Sequence, residues 1–134
     1  MSEAADDEAV ALAHRLLDLA RSGSTDELAA YVDAGVAVNL TDPAGNTLVM
    51  LAAYHGHPST VAALAERGAD VDRANDRGQT PLAGAVFKAD AAVVRVLVAA
   101  GADASAGSPS AIETARFFAR PDLLALLDPS AEPA

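Results

Sequence analysis

Two stretches of the chain repeat each other and decide its fold. Residues 42–72 read DPAGNTLVMLAAYHGHPSTVAALAERGADVD, and residues 75–105 read NDRGQTPLAGAVFKADAAVVRVLVAAGADAS. Aligned at a spacing of 33 residues, they share the pairs Gly45/Gly78, Thr47/Thr80, Ala52/Ala85, Val61/Val94, Leu64/Leu97, Gly68/Gly101, Ala69/Ala102 and Asp70/Asp103. These are the positions of turns, helix caps and buried faces, so the period marks a repeated structural unit.

Each unit predicts two short helices followed by a hairpin-like loop. Thr80-Pro81 is a helix start, because the Thr hydroxyl can cap a free backbone N–H and Pro at the first helical position loses no needed donor. We expect first helices at about residues 48–55 and 81–88, and second helices with apolar residues at spacings of three and four. Gly68 and Gly101 then end the second helices. One such unit cannot bury its apolar face alone, so several must stack.

The pattern continues toward both ends of the chain. Gly23 and Gly35 lie 33 residues before Gly56 and Gly68 of the next unit. A longer, charged helix is expected before Gly23, at about residues 8–20. Toward the other end, Ser110 aligns with Thr80 at a spacing of 30, because three loop residues are missing. We therefore expect one domain over residues 1–134 with four repeats, the outer two acting as caps, at about 5–41, 42–74, 75–107 and 108–128.

These motifs resemble the ankyrin repeat, whose signature runs D-x-x-G-x-T-P-L-H-x-A-A-x-x-G-H, then a second helix, then L-L-x-x-G-A-D-V-N. The matching stretches are NDRGQTPL at 75–82, AAYHGH at 52–57 and ERGADVD at 66–72. The resemblance implies an all-α solenoid of helix-turn-helix repeats with hairpin loops. The signature His is replaced by Met50 and Ala83, and Gly84 inside a helix costs about 1 kcal/mol relative to Ala. We therefore expect ordinary stability.

The resemblance also implies a binding scaffold that uses its loop tips and the exposed side of its first helices. In each repeat, the two residues before the turn that follows the first helix lie at the exposed end of that helix. The first of these two residues, taken across the four repeats, gives a predicted row of Arg21, Tyr54, Phe87 and Phe117. The chain has only two Tyr, three Phe and no Trp. Exposed aromatic side chains are the usual anchors of protein interfaces. The alternative is local packing, with Phe117 and Phe118 partly in the core of a shortened cap and Phe87 folded onto its neighbour.

The predicted partner-binding set adds loop tips and the neighbours of the row. Arg77, together with Arg73, is either a partner contact or a local counter-charge for nearby aspartates. Tyr31 aligns with Leu64 of a second helix, so we expect it in the core. The full predicted set is Arg21, Asn46, Tyr54, His55, Arg77, Gln79, Phe87, Lys88 and Phe117.

Composition narrows the classes of function. The absence of Cys excludes disulfides and thiolate metal sites and fits the cytoplasm, which is the expected location. A net charge of −10 argues against nucleic acid, since duplex affinity comes from Lys and Arg. The longest uncharged run, residues 43–65, contains Pro and Gly and is no membrane span. The negative charge either keeps the protein soluble or forms an acidic surface that binds a basic partner.

Catalytic and metal sites are not expected. His55 and His57 are two positions apart, so they do not share a helix face, and no nearby third ligand completes a metal set. In the ankyrin family, His at the position of His57 has a structural hydrogen-bonding role. We therefore expect no enzyme and no cofactor, but an adaptor or regulator that binds an unidentified protein, mainly as a monomer with weak self-association as a variant. The alternative is a small-ligand-binding protein or an enzyme with a pocket not evident in the sequence.

Overall fold

The computed structural model describes residues 3–128, and over that range the chain forms eight α-helices and no strand. Successive helices pair as α1 with α2, α3 with α4, α5 with α6, and α7 with α8, and each pair packs on the next. This architecture confirms the predicted all-α solenoid. The helices are α1 (Glu3–Ser22), α2 (Thr25–Asp33), α3 (Leu48–Tyr54), α4 (Pro58–Glu66), α5 (Pro81–Phe87), α6 (Ala91–Ala99), α7 (Ala111–Phe117) and α8 (Pro121–Leu127).

The first helices of the repeats begin where the capping residues predict. The side chains of Thr47, Thr80 and Ser110 accept hydrogen bonds from backbone N–H groups three residues later, at 3.1, 3.2 and 3.1 Å. Each bond satisfies one of the free donors at a helix start. Helices α3 and α5 end one residue earlier than predicted, because His55 and Lys88 are their C-caps. Helix α1 is longer than predicted at both ends.

A left-handed turn residue follows each first helix. Gly23 and Gly56 take this conformation with φ of 73° and 80°, whereas the last two repeats place Ala89 and Ala119 there, with φ of 56° and 53°. In the first turn a side chain would also collide with a neighbour, because a Cβ on Gly23 would lie 2.5 Å from the His57 ring. The turn between the paired helices therefore has the same backbone conformation in all four helix pairs, although only two of these turns have glycine.

The core runs between two layers of helices. The first helices α1, α3, α5 and α7 form one layer, and the second helices α2, α4, α6 and α8 form the other. Tyr31, which was expected in the core, is partly buried against it. Burial of the aliphatic side chains between the layers is the main favourable term for such an array. The largest fully buried leucines are Leu16, Leu28, Leu48, Leu64, Leu82, Leu97 and Leu123.

The repeat boundaries and the single domain stay predictions, since helix pairing does not fix where a repeat begins. Residues 1–2 and 129–134 of the predicted domain lie outside the described range. The loops are hairpin-like: Thr41 bridges Thr47, and Gly107 bridges Ser110, each as an isolated antiparallel bridge.

Candidate functional site

A groove of about 700 Å³ lies along the layer of first helices. Helices α3, α5 and α7 supply its walls, and the loops before α5 and α7 close one side. Because these helices stack side by side, residues at equivalent positions of three repeats come to one surface. The lining residues are Tyr54, Arg77, Gln79, Ala83, Gly84, Phe87, Pro109, Glu113, Thr114, Phe117 and Phe118.

Gly84 lets the groove floor lie close to helix α3. A Cβ at this position would lie 3.2 Å from Met50 Cε and 3.8 Å from Tyr54 Cδ2. The missing side chain therefore leaves room for the side chains of Met50 and Tyr54. The helix-propensity cost expected for this glycine is thus offset in part by closer packing of α5 on α3.

Aromatic side chains stand along the groove, and all of them remain accessible. The exposed fractions are 37% for Tyr54, 58% for Phe87, 81% for Phe117 and 47% for Phe118. Phe118 packs edge-to-face against both other phenylalanines, with centroid distances of 5.8 Å to Phe87 and 5.0 Å to Phe117. The alternative that placed Phe117 partly in the core of the cap is therefore wrong, because its ring projects into solvent. Phe87 does contact its neighbour, yet more than half of it stays exposed.

Two basic side chains flank these rings. The Lys88 Nζ atom lies 4.7 Å from the centroid of the Tyr54 ring, in a cation–π contact, and Arg77 lines the groove. Within residues 3–128, neither is part of an ion pair, nor is Arg73. Neither arginine of this loop is thus within ion-pairing distance of an aspartate in this range, and both roles predicted for them stay open.

His55 contacts the Tyr54 ring edge-to-face, with the ring centroids 5.6 Å apart. Partial desolvation lowers the pKa of His55 below its ordinary value, and the neighbouring His57, Arg21 and Lys88 lower it further. His55 is consequently neutral at pH 7. It contributes a polar ring at this end of the groove and no charge.

Glu113 is the acidic residue among those that line the groove. Its side chain accepts a hydrogen bond from Ser110 N at 3.0 Å, while the Ser110 hydroxyl accepts one from Glu113 N, which completes a capping box at the start of α7. Hydrogen bonds to the carboxylate, from the Ser110 backbone first and then from the Ser110 side chain, hold the pKa of Glu113 below its ordinary value. The carboxylate thus stays ionised and is held at the helix start.

A family model for ankyrin repeats, in three copies, matches residues 16–107, which are more than half of the chain. The chain belongs to the ankyrin repeat family. An ankyrin repeat protein of Pseudomonas aeruginosa is 46% identical over 48 residues, which are 36% of this chain and 28% of that relative. The match therefore spans well under two thirds of the relative's length. Ankyrin repeats generally mediate protein–protein interactions.

The ankyrin array brings together most of the predicted binding residues. Tyr54, Arg77, Gln79, Phe87 and Phe117 line the groove. His55 and Lys88 lie against the Tyr54 ring at its edge.

Arg21 does not line the groove. Its guanidinium lies 2.8 Å from an Asp18 carboxylate oxygen and 3.9 Å from one of Asp42. It therefore neutralises aspartates of its own and the next repeat.

Two predicted loop-tip residues, Asn46 and Gln79, belong to a ladder of hydrogen-bonded polar side chains between neighbouring ankyrin loops. Asn46 Nδ2 donates to Asp42 Oδ2 at 3.0 Å, and Asn75 Nδ2 donates to Asn46 Oδ1 at 2.8 Å and to Gln79 Oε1 at 3.1 Å. The exposed fraction of Asn75 is only 7%. Burial raises the pKa of Asp42, but hydrogen bonds from Asn46 and Ala44 outweigh it and bring the pKa below its ordinary value. Asn46 and Gln79 are thus half-buried parts of the loop scaffold.

The predicted set missed several groove residues. Gly84, Pro109, Glu113 and Thr114 line the groove but were not predicted as site residues. The capping-box spacing of Ser110 and Glu113 could have placed Glu113 at a helix start. No sequence signal shows that this helix start faces α5 of the preceding repeat.

The described residues contain no group of three or more His, Asp or Glu that could hold a metal ion. His57 Nε2 donates to Arg21 O at 2.7 Å, a bond between the first two helix pairs, in agreement with the structural role expected for His at this position. Over the same part of the chain, no helix combines the length and the apolar character needed to cross a membrane.

Proposed function

We propose that this ankyrin repeat protein binds another protein through the groove between α3, α5 and α7, as an adaptor or a regulator in the cytoplasm. The observation that carries the proposal is the row of exposed aromatic side chains of Tyr54, Phe87 and Phe117 along a concave surface. Large aromatic groups exposed in this way supply most of the binding energy in protein interfaces, because a partner can bury them at small entropic cost.

The groove is preformed, which favours tight binding of a folded or extended partner. Helices α3 and α5 bury almost every residue other than their last, and the loop ladder fixes the loop beside the groove. Binding would therefore require little ordering of the scaffold. The proposed contact residues remain Arg21, Asn46, Tyr54, His55, Arg77, Gln79, Phe87, Lys88 and Phe117, with Arg21 and Asn46 at the flank.

A small-molecule site is less favoured by the same groove. Its volume falls within the roughly 300–1,000 Å³ of ligand pockets. Such pockets also need polar groups that converge on the ligand. Thr114 donates its hydroxyl to Ser110 O at 2.7 Å, Glu113 belongs to the capping box, and Gln79 Oε1 accepts a hydrogen bond from Asn75. Arg77 alone of the charged lining groups is then left to meet a ligand, so the polar groups do not converge. The aromatic side chains, in contrast, are free to contact a partner.

The test is affinity capture from a lysate of the source cell with three forms of the protein. We expect the Tyr54→Ala/Phe87→Ala variant to bind the captured partner at least tenfold more weakly, about 1.4 kcal/mol, with an unchanged circular dichroism spectrum. The matched control is Val10→Ala/Leu12→Ala, which removes exposed apolar groups from α1, outside the groove. Equal binding by the folded groove variant and wild type would refute the proposal.

A further inference from the structure

The groove and the rest of the molecule differ in charge. The chain has 19 Asp and Glu against 9 Lys and Arg. The groove lining contains Arg77 and Glu113, and Lys88 adds a positive charge at the Tyr54 ring. The groove lining therefore has one basic and one acidic group, and with Lys88 beside it the acidic excess of the chain is absent there.

The basic groups at the groove are also available to a partner. In the part of the chain that the structure describes, Arg15, Arg21, Arg67 and Arg120 form ion pairs with carboxylates. Arg77 and Lys88 are exposed and form none. Arg77 stands beside groove walls rich in aromatic carbon, while Lys88 lies against one aromatic ring. A carboxylate brought to these sites would gain a charge partner without displacing one that is already bound.

The two cations come before and after helix α5 in the chain. Arg77 lies in the loop, four residues before the first residue of α5, and Lys88 is the C-cap of the helix. Phe87 is the last residue of α5, next to Lys88.

We infer that the groove binds a short acidic segment of the partner, with two carboxylates and an aromatic or aliphatic anchor beside them. The anchor packs against Phe87 and Phe118, and the carboxylates pair with Arg77 and Lys88. The acidic remainder of the surface repels such a segment, so its register is fixed by the groove. This inference rests on the proposed function and adds the chemistry of the partner.

The experiment is selection of a random dodecapeptide library, displayed on phage, against the full chain. We expect enriched peptides to carry an apolar anchor with two Asp or Glu residues near it. Synthetic copies should bind the Arg77→Glu/Lys88→Glu variant at least tenfold more weakly than wild type. Arg95→Glu is the matched control, because Arg95 is an exposed arginine on α6, in the other helix layer, and should change affinity less than twofold.

Several results would overturn the inference. One is enrichment of basic or uncharged peptides, another is no enrichment at all, and a third is equal binding of acidic peptides by the charge-reversed variant. If uncharged peptides bind wild type but not Tyr54→Ala/Phe87→Ala, the groove remains a binding site and only its charge preference fails. A concentration-dependent dimer in sedimentation that Phe87→Ala abolishes would instead assign the groove to a second copy of the chain.

Discussion

Ala89 and Ala119 hold the left-handed backbone that glycine holds in the first two turns. A residue with a Cβ pays about 1–2 kcal/mol in this conformation, whereas glycine adopts it without a steric penalty. Both alanines follow the phenylalanines of the groove, so the strain lies at the ends of α5 and α7. The chain folds despite this strain because buried neighbours fix both helices.

Replacing Ala89 by glycine should therefore stabilise the protein. We expect Ala89→Gly to raise the free energy of unfolding by about 0.5–1 kcal/mol, after the greater entropy of glycine in the unfolded chain is subtracted. The measurement is the urea midpoint at unchanged slope. Ala92→Gly on the exposed face of α6 is the control and should destabilise by about 1 kcal/mol. Destabilisation by both variants would mean that the turn carries no strain.

At the scale of elements, the loops are held by side chains together with a few backbone hydrogen bonds, such as those from Asp76 N to Ala44 O and from Ser108 N to Gly78 O. Asn75 Oδ1 accepts hydrogen bonds from Arg77 N at 2.9 Å and Gln79 N at 3.0 Å, and its amide nitrogen reaches Asn46 of the preceding loop. One buried side chain thus fixes the shape of its own loop and the distance to the next. The same loop carries Arg77 to the groove.

Removal of this side chain should loosen both loops. We expect Asn75→Ala to lower the free energy of unfolding by about 2–3 kcal/mol, because two backbone donors lose their acceptor in a buried site. Asn39→Ala is the comparison, since Asn39 accepts one exposed hydrogen bond, from Asp70 N at 2.9 Å, and should cost about 1 kcal/mol or less. Urea unfolding measures both. Equal costs for the two variants would show that the ladder adds nothing to the loop.

At the scale of the whole molecule, repulsion among like charges opposes the compact state. The net charge is −10. In the ion pairs seen in residues 3–128 both side chains are more than a third exposed, except in the long contact of Arg21 with Asp42 and in the pair of Arg67 with Asp33. Exposed pairs contribute little. Repulsion should therefore outweigh attraction in the salt dependence of stability.

Salt should thus stabilise the fold while it weakens partner binding. Raising NaCl from about 10 mM to about 150 mM shortens the Debye length from about 30 Å to about 8 Å. We expect Tm to rise by a few degrees, about 0.5–1 kcal/mol. Over the same range, affinity for the acidic peptides should fall, because their ion pairs with Arg77 and Lys88 are screened. Choline chloride in place of NaCl controls for specific ion effects. A fall of Tm with salt would show that attraction dominates.

The sequence by itself determined the features that depend on neighbours along the chain. The helix starts at Thr47, Thr80 and Ser110, the repeat period and the all-α solenoid follow from caps, turns and apolar spacing within a few residues. The row of Tyr54, Phe87 and Phe117 could be predicted as well, since equivalent positions of stacked repeats share one face.

Tertiary structure alone decided which of these residues meet and which become part of the scaffold. Asn46 bonds to Asn75 across 29 positions, so a predicted contact residue became a rung between loops. Glu113 and Pro109 enter the groove only because α7 packs beside α5. Phe117 stays exposed, whereas Phe118 packs beside Phe87. Such outcomes depend on the distance and rotation between neighbouring repeats, which local sequence patterns do not encode.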